Sequence, residues 1–204
     1  MKVLMFSTDP STLYYQSHVY HRMAEYAKLL GELHIVAPGT EYGMGGNDNL
    51  FLHPTGRSRI RGFLRFYRIA GDLLDHGKFD VISVQGPDEV GLIGYILARR
   101  SRIPFQLQIH TDIMSPWYRR AGLKERIRYY IAKFLIPRAD CIRVVSERIK
   151  KSLIKEFGIP HPFPPPSKEG GGDFLPSSAE GGRLGWGIPL YFSVTSPTKK
   201  SPII

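Results

Sequence analysis

Apolar residues along this chain follow two alternating rhythms, short runs closed by breakers and longer stripes at helical spacing. The runs are Lys2-Val-Leu-Met-Phe6, Leu33-His-Ile-Val-Ala37, Leu50-Phe-Leu-His-Pro54, Phe79-Asp-Val-Ile-Ser-Val84, Phe105-Gln-Leu-Gln-Ile109 and Cys141-Ile-Arg-Val-Val145. Runs of this length bounded by Gly, Pro or Asp read as buried strands. Pro54 places the third at a sheet edge, because proline cannot donate to a ladder. Between them lie helical stripes over about 17–30 (Val19, Met23, Tyr26, Ala27, Leu30), 60–76 (Phe63, Phe66, Ile69, Leu73, Leu74), 88–100, 123–136 and 147–157. Gly31, Pro137 and Gly158 end three of these helices, and Asp88 and Ser146 are placed to cap the 88–100 and 147–157 helices. In the 88–100 helix the face Gly91, Gly94, Ala98 predicts close approach to the sheet. Strand and helix alternate throughout, which predicts an α/β, Rossmann-like three-layer domain with a mostly parallel sheet.

The intervening segments 7–16, 42–49 and 114–122 read as loops. Gly43, Gly45 and Gly46 do not make a dinucleotide-binding fingerprint, since they neither follow a strand directly nor open a helix. After Gly158 the pattern breaks. Residues 160–204 hold 9 Pro and 7 Gly, too many to fill a core, and predict a low-complexity, disordered tail with one short strand near 190–194. The expected division is a domain over 1–158 and a tail over 159–204, with the change at Gly158–Pro160 read as an interruption of the gene.

Composition changes this picture in one respect. The net charge of +10 is concentrated, since residues 57–159 carry 21 basic and 10 acidic side chains. Such a face attracts phosphates on lipids, nucleic acids or small substrates, or is simply a solvated surface. Arg57, Arg59, Arg61, Arg65 and Arg68 crowd the start of a helix, where the dipole disfavours them. No helix-turn-helix, RRM or OB pattern accompanies the charge, so no nucleic-acid partner is expected. There is no apolar run long enough to span a bilayer and no signal-peptide pattern at the N-terminus. The lone Cys141 precludes a disulfide within the chain and fits a reducing compartment. The expected location is the cytoplasm, with peripheral contact at the inner membrane face.

The candidate chemistry sits where the fifth run stops, at His110, Thr111 and Asp112. In open parallel sheets ligands bind beyond the carboxyl ends of the strands. Read blandly, His110 and Asp112 are strand-end groups bonded to nearby backbone. His18 and His21 lie one turn apart, but no third ligand accompanies them, so no metal site is expected; Cys141 reads as a small core residue.

The opening βαβ unit, the strand ending in His110-Thr-Asp112 and the segment Arg138-Ala-Asp-Cys-Ile-Arg-Val-Val-Ser-Glu147 together resemble the N-terminal, acceptor-side domain of family-4 retaining glycosyltransferases, which have the GT-B fold. The resemblance covers residues 1–158. It implies hexosyl transfer from a nucleotide-sugar, as donor substrate and not cofactor, to a glycan or lipid-linked acceptor in polysaccharide assembly. It implies His110 beside the reacting sugar, Asp112 positioning His110 or an acceptor hydroxyl, and substrate contacts from Asp9, Thr111, Ser146 and Glu147. Ser146 is explained equally well as a helix cap. Where the family carries glycines after the first strand, this chain has Ser7, Thr8, Asp9 and Ser11. The family's Glu-x7-Glu donor motif does not follow residue 158, so the chain reads as the N-terminal half only, inactive without a separate donor-binding chain. Trp117, Tyr118, Arg119, Arg120, Lys124 and Arg128 are expected to contact an anionic membrane surface. The alternative is a non-catalytic remnant or binding module for anionic surfaces.

Overall fold

Each expected apolar run pairs with a neighbour in the computed structural model. β1 (Lys2–Phe6), β2 (Glu32–Ala37), β3 (Leu50–Pro54), β4 (Val81–Val84), β5 (Phe105–Ile109) and β6 (Cys141–Val144) are parallel, and β7 (Leu190–Ser193) lies antiparallel beside β6. The order is β3-β2-β1-β4-β5-β6-β7, with β3 at the edge that Pro54 predicts. The structure describes residues 1–40, 48–56, 59–158 and 190–193, the side chains of 59–60 and 190–193 excepted. Most of the expected 42–49 loop, Arg57, the side chain of Arg59 and most of the 159–204 tail lie outside the described residues.

Strand alternation builds two cores. Leu4, Phe6, Ile82, Val84, Phe105, Leu107, Ile109, Ile142 and Val144 face one side. There they meet α2 (Arg59–His76), α3 (Glu89–Ser101), α5 (Leu123–Leu135) and α6 (Glu147–Phe157). Val3, Met5, Leu33, Ile35 and Ala37 face the other side, against Tyr20, Met23 and Ala27 of α1 (His18–Leu30). Helices on both faces of a mostly parallel sheet make this a Rossmann-like α/β fold. Burying each large side chain contributes about 1.5–3 kcal/mol, and Phe105, Leu107 and Ile109 are all essentially inaccessible. The small face of α3 is as close as expected. A Cβ on Gly94 would stand 2.5 Å from Val84 Cγ2, and one on Gly91 2.5 Å from the Gly86 carbonyl oxygen.

Three expectations change. Phe63 is exposed: the buried side of this helix starts at Phe66 and continues through Ala70 to the partly buried Leu73. The polar segment 7–16 contains a short 3-10 helix, Pro10–Leu13, whose start is capped by Asp9 accepting from the Ser11 N–H at 2.9 Å. The expected 114–122 loop contains the five-residue α4 (Pro116–Arg120), started by Pro116, whose fixed φ suits a first helical turn.

Candidate functional site

The chain leaves β1 toward β2 and β3, then crosses to β4 on β1's other side. A ligand crevice forms at such a reversal, outside the strand carboxyl ends. Ser7 ends β1 and Gln85 ends β4, and the Ser7 hydroxyl donates to Gln85 Oε1 at 2.7 Å. Gln85 Nε2 in turn contacts Met5 Sδ at 3.3 Å. His110 leaves β5 beside them, and Ser146 leaves β6. The expected His110 thus stands at the end of β5, the strand next to the hydroxyl–amide pair of the β1/β4 switch.

Below His110 runs a polar row on the sheet face that α1 shares. Arg143 Nη1 donates to Gln108 Oε1 at 2.8 Å, Gln108 Nε2 to Ser83 Oγ at 2.8 Å, and Ser83 Oγ to Gln106 Oε1 at 2.7 Å. Ser83 and Gln108 are almost fully buried. Each buried amide therefore meets a partner, as buried polar groups must, while Arg143 Nε is buried with no hydrogen-bond partner among the described residues. The register that pairs Gln108 with Arg143 puts this guanidinium on the face His110 shares. His110 is solvent-exposed, yet protein around its ring disfavours the charged form. With repulsion from Arg143 and then Arg22, this lowers its pKa below the ordinary imidazole value. At neutral pH His110 is a neutral ring, able to donate one hydrogen bond and accept another.

Among the described residues no hydrogen bond or ion pair joins Asp112 to His110. Asp112 Oδ2 lies 3.8 Å from Arg148 Nε on α6, and its Oδ1 is buried without a partner among the described residues. Thr111 is exposed, and its carbonyl accepts from the Ile113 N–H at 2.9 Å. Ser146 caps α6 by accepting from the Ile149 N–H at 3.3 Å. Glu147 is exposed and 3.8 Å from Lys150. Asp9 is committed to its cap. Cys141 is half-buried, and burial raises its thiol pKa. Among the described residues no group of three His, Cys, Asp or Glu converges on a metal position.

The six residues expected to meet a membrane divide in two. Trp117, Arg119, Arg120 and Lys124 are exposed. Tyr118 and Arg128 turn inward. Arg128 makes three bonds of 2.8–3.1 Å to the Glu89 carboxylate and hydrogen-bonds Tyr118. It joins α5 to the start of α3 and is not part of the outer face. Among the described residues no helix is long and apolar enough to cross a membrane.

The residues that sequence reading missed are Gln85, Gln108 and Arg143. The signal for one of them was present: in Phe105-Gln-Leu-Gln-Ile-His110 the polar residues alternate with the apolar ones, which predicts a polar face.

A mostly parallel sheet reversing at β1/β4, with polar groups on the carboxyl ends, defines a Rossmann-like α/β domain. The sequence profile of Glycosyltransferase Family 4 matches residues 16–163, and the chain belongs to that family. Among curated proteins none matches the sequence. Solved structures share the fold at low identity. The UDP-GlcNAc 2-epimerase of Methanocaldococcus jannaschii is 16% identical with a TM-score of 0.50, over 78% of this chain and 43% of that one. Anabaena HepE, solved in complex with UDP, is 15% identical with a TM-score of 0.51, over 76% of this chain and 40% of that one. The chain spans less than half the length of these proteins.

Proposed function

We propose that this domain forms the acceptor side of a retaining glycosyltransferase, which moves a hexosyl group from a nucleotide-sugar to a glycan or lipid-linked acceptor in polysaccharide assembly. The observation that carries the reading is the placement of neutral His110 and the Ser7–Gln85 pair at the carboxyl ends of three adjacent strands in a family-4 chain. Neutral donors and acceptors suit a hydroxyl-rich ligand, which a strongly charged wall would not match. The neutral His110 hydrogen-bonds the reacting sugar, and the exposed Thr111 with the Ser146–Glu147 corner contacts the acceptor. Asp112 holds the loop after β5 against α6 through Arg148, and so fixes where His110 stands. Asp9 shapes the loop after β1. The epimerase's UDP-sugar name and HepE's bound UDP support a nucleotide-sugar as donor class. The donor phosphates are held by a separate donor-binding chain or domain, and the chain works in the cytoplasm at the inner membrane face.

NMR titration of the full chain with mono- and oligosaccharides tests this. We expect the His110 ring signals to shift, His110→Ala to remove saccharide binding with the fold intact, and no sugar transfer from UDP- or GDP-sugars by this chain alone. Saccharides that leave His110 unmoved, or clear turnover by the purified chain, would overturn it.

A further inference from the structure

α5 has two apolar sides, and the fold buries only one; on the other, Phe134 meets Tyr95 edge-on at 5.5 Å. Tyr129, Ala132 and Leu135 turn inward and are buried. Leu123, Ile127, Tyr130 and Phe134 fall at spacings of four, three and four, which is a single helical stripe. That stripe faces solvent: the four residues are 73%, 51%, 62% and 40% exposed. It runs about 16 Å at 1.5 Å per residue. Beside it, on α4, Trp117 is 78% exposed. Isolated surface apolar residues are ordinary, but an aligned row of five with an aromatic majority is an interaction surface.

The charge around the row points to the partner. Arg119, Arg120 and Arg126 border a shallow cavity of about 540 Å³ with Gly122, Leu123 and Tyr130. Among the described residues none of these three arginines has a carboxylate within ion-pair distance; Arg119 lies over the Tyr129 ring, 5.4 Å from its centroid. Lys124 is exposed on the opposite flank of the stripe. The single carboxylate on α5, Glu125, points back toward Gly122 and Tyr118, between the two helices. The outer face is thus apolar along its axis and cationic at its borders, with Lys133 further along paired to Glu156 of α6 at 2.8 Å.

We infer that α4 and the outer face of α5 form a docking ridge for an anionic bilayer surface, with Arg119, Arg120 and Arg126 receiving lipid phosphates. Trp117 and Tyr130 sit at headgroup depth, where an aromatic ring keeps an apolar body and a polar tip satisfied. Leu123, Ile127 and Phe134 reach the acyl boundary. A second copy of the chain is a poor occupant, because it would bring the same positive charge to the contact. α4 follows the His110–Ser115 loop directly, so the docked ridge holds the crevice mouth at the membrane surface. That last consequence rests on the proposed acceptor-side function; the docking itself does not.

Co-sedimentation of the full chain with phosphatidylcholine vesicles, with and without phosphatidylglycerol, tests the ridge. Binding is expected only to the anionic vesicles and is expected to weaken with salt. Replacing Arg119, Arg120 and Arg126 together by Gln should reduce it on the order of a hundredfold, since each basic side chain near an anionic surface contributes a factor of about five. Trp117→Ser with Ile127→Ser should reduce it further, because apolar burial and attraction to anionic lipid add. All five positions are at the surface, and circular dichroism with a thermal melt confirms that each variant folds. Equal binding to neutral vesicles, or no binding, would overturn the inference. So would loss of vesicle binding to a soluble acidic polypeptide together with indifference to the Trp117 and Ile127 changes, which would indicate an acidic protein partner instead. Saccharide shifts at His110 are measured without vesicles, so failure of docking and failure of the sugar-site reading are separate results.

Discussion

Replacing Arg128 by Met should destabilise the domain and leave membrane docking intact. Arg128 lies on α5, and its guanidinium meets the Glu89 carboxylate through both Nε and Nη2. Asp88, the α3 N-cap, lies 3.8 Å from Nη2. The side chains of Arg128 and Glu89 are 26% and 33% exposed, so the pair is neither buried nor freely solvated. A hydrogen bond to a charged group is worth about 1.5–3 kcal/mol, and exposed ion pairs about 0.2–1 kcal/mol. With partial screening we expect a loss of about 1–2 kcal/mol, the Met stem keeping the apolar contact of the arginine chain.

The two carboxylates beside Arg128 respond to pH in opposite directions. Burial alone would raise the Glu89 pKa, but the bonds and charge of Arg128 outweigh it and lower the value. A depressed carboxylate contributes stability that is present above its unfolded pKa and is lost as pH falls through the folded value. Asp88 runs the other way: burial raises its pKa despite Arg128 and the two N–H bonds from Val90 and Gly91. Its contribution therefore improves on acidification. In the Met variant the acid-labile contribution of Glu89 disappears, and the Asp88 pKa rises further. Urea denaturation at pH 7 and at pH 4, on wild type, Arg128→Met, Glu89→Gln and the double variant, measures this. A coupling energy near zero, or a stability loss under about 0.5 kcal/mol, the limit of additivity for independent sites, would refute it. So would a vesicle-binding loss as large as that from the three outer arginines.

Gly94→Ala should cost about 1–3 kcal/mol by overpacking against Val84, Phe6 and Phe105. Gly62→Ala, where a Cβ meets nothing within 4 Å, should instead stabilise by about 0.5–1 kcal/mol through helix propensity; thermal melts that rank the two the other way would refute the packing. His53, buried and then further opposed by His34, has its pKa lowered to about 4. The unfolded chain therefore binds its proton first, so stability should fall as pH drops from about 6.5 toward 4 and level off below, and His53→Gln should flatten that slope in pH-dependent melts. Arg143→Gln should raise the His110 pKa, because it removes one of the two positive charges that oppose protonation; an unchanged imidazole NMR titration would place Arg143 too far from the ring to act on it.

The β5 end was legible because its signal is local. Pro104 opens an apolar run, His110-Thr111-Asp112 closes it, and chain order alone implies a parallel sheet with that end at the ligand side. The Arg143–Gln108–Ser83–Gln106 row was not legible, since it depends on pairing across β4, β5 and β6, with Gln106 opposite both Ser83 and Cys141. Register is a property of the assembled sheet, and no single strand carries it. The Ser7–Gln85 bond joins residues 78 positions apart. α5 poses a different problem. Apolar residues occupy eight of its thirteen positions, so periodicity marks a helix but does not say which side is core. Only the packing against β5, β6 and α3 separates Tyr129 from Tyr130. The same packing sets Arg128 apart from Arg126, which the sequence presents as equals.

That sorting of arginines is what turns an undifferentiated positive charge into two distinct surfaces. Arg100 pairs with Asp75 at 2.8 Å. Arg99 donates to the Arg138 carbonyl, and Arg138 to the Phe134 carbonyl, each at 2.8 Å. These guanidiniums fix helix ends and helix–helix contacts, and salt should affect them little where the bond is to a neutral carbonyl, because screening acts on charge pairs. Arg143 is spent on a neutral amide, which leaves its charge free to act on His110. Arg119, Arg120 and Arg126 face outward beside Leu123 and Tyr130 with no carboxylate among the described residues to neutralise them. A chain that needed charge only for solubility would gain from spreading it, since crowded like charges repel. Crowding three beside an exposed apolar stripe carries a cost in the free domain that an anionic surface reverses. Ionic strength should therefore separate the two sets: raising salt should release the domain from vesicles over a range in which its urea midpoint moves little.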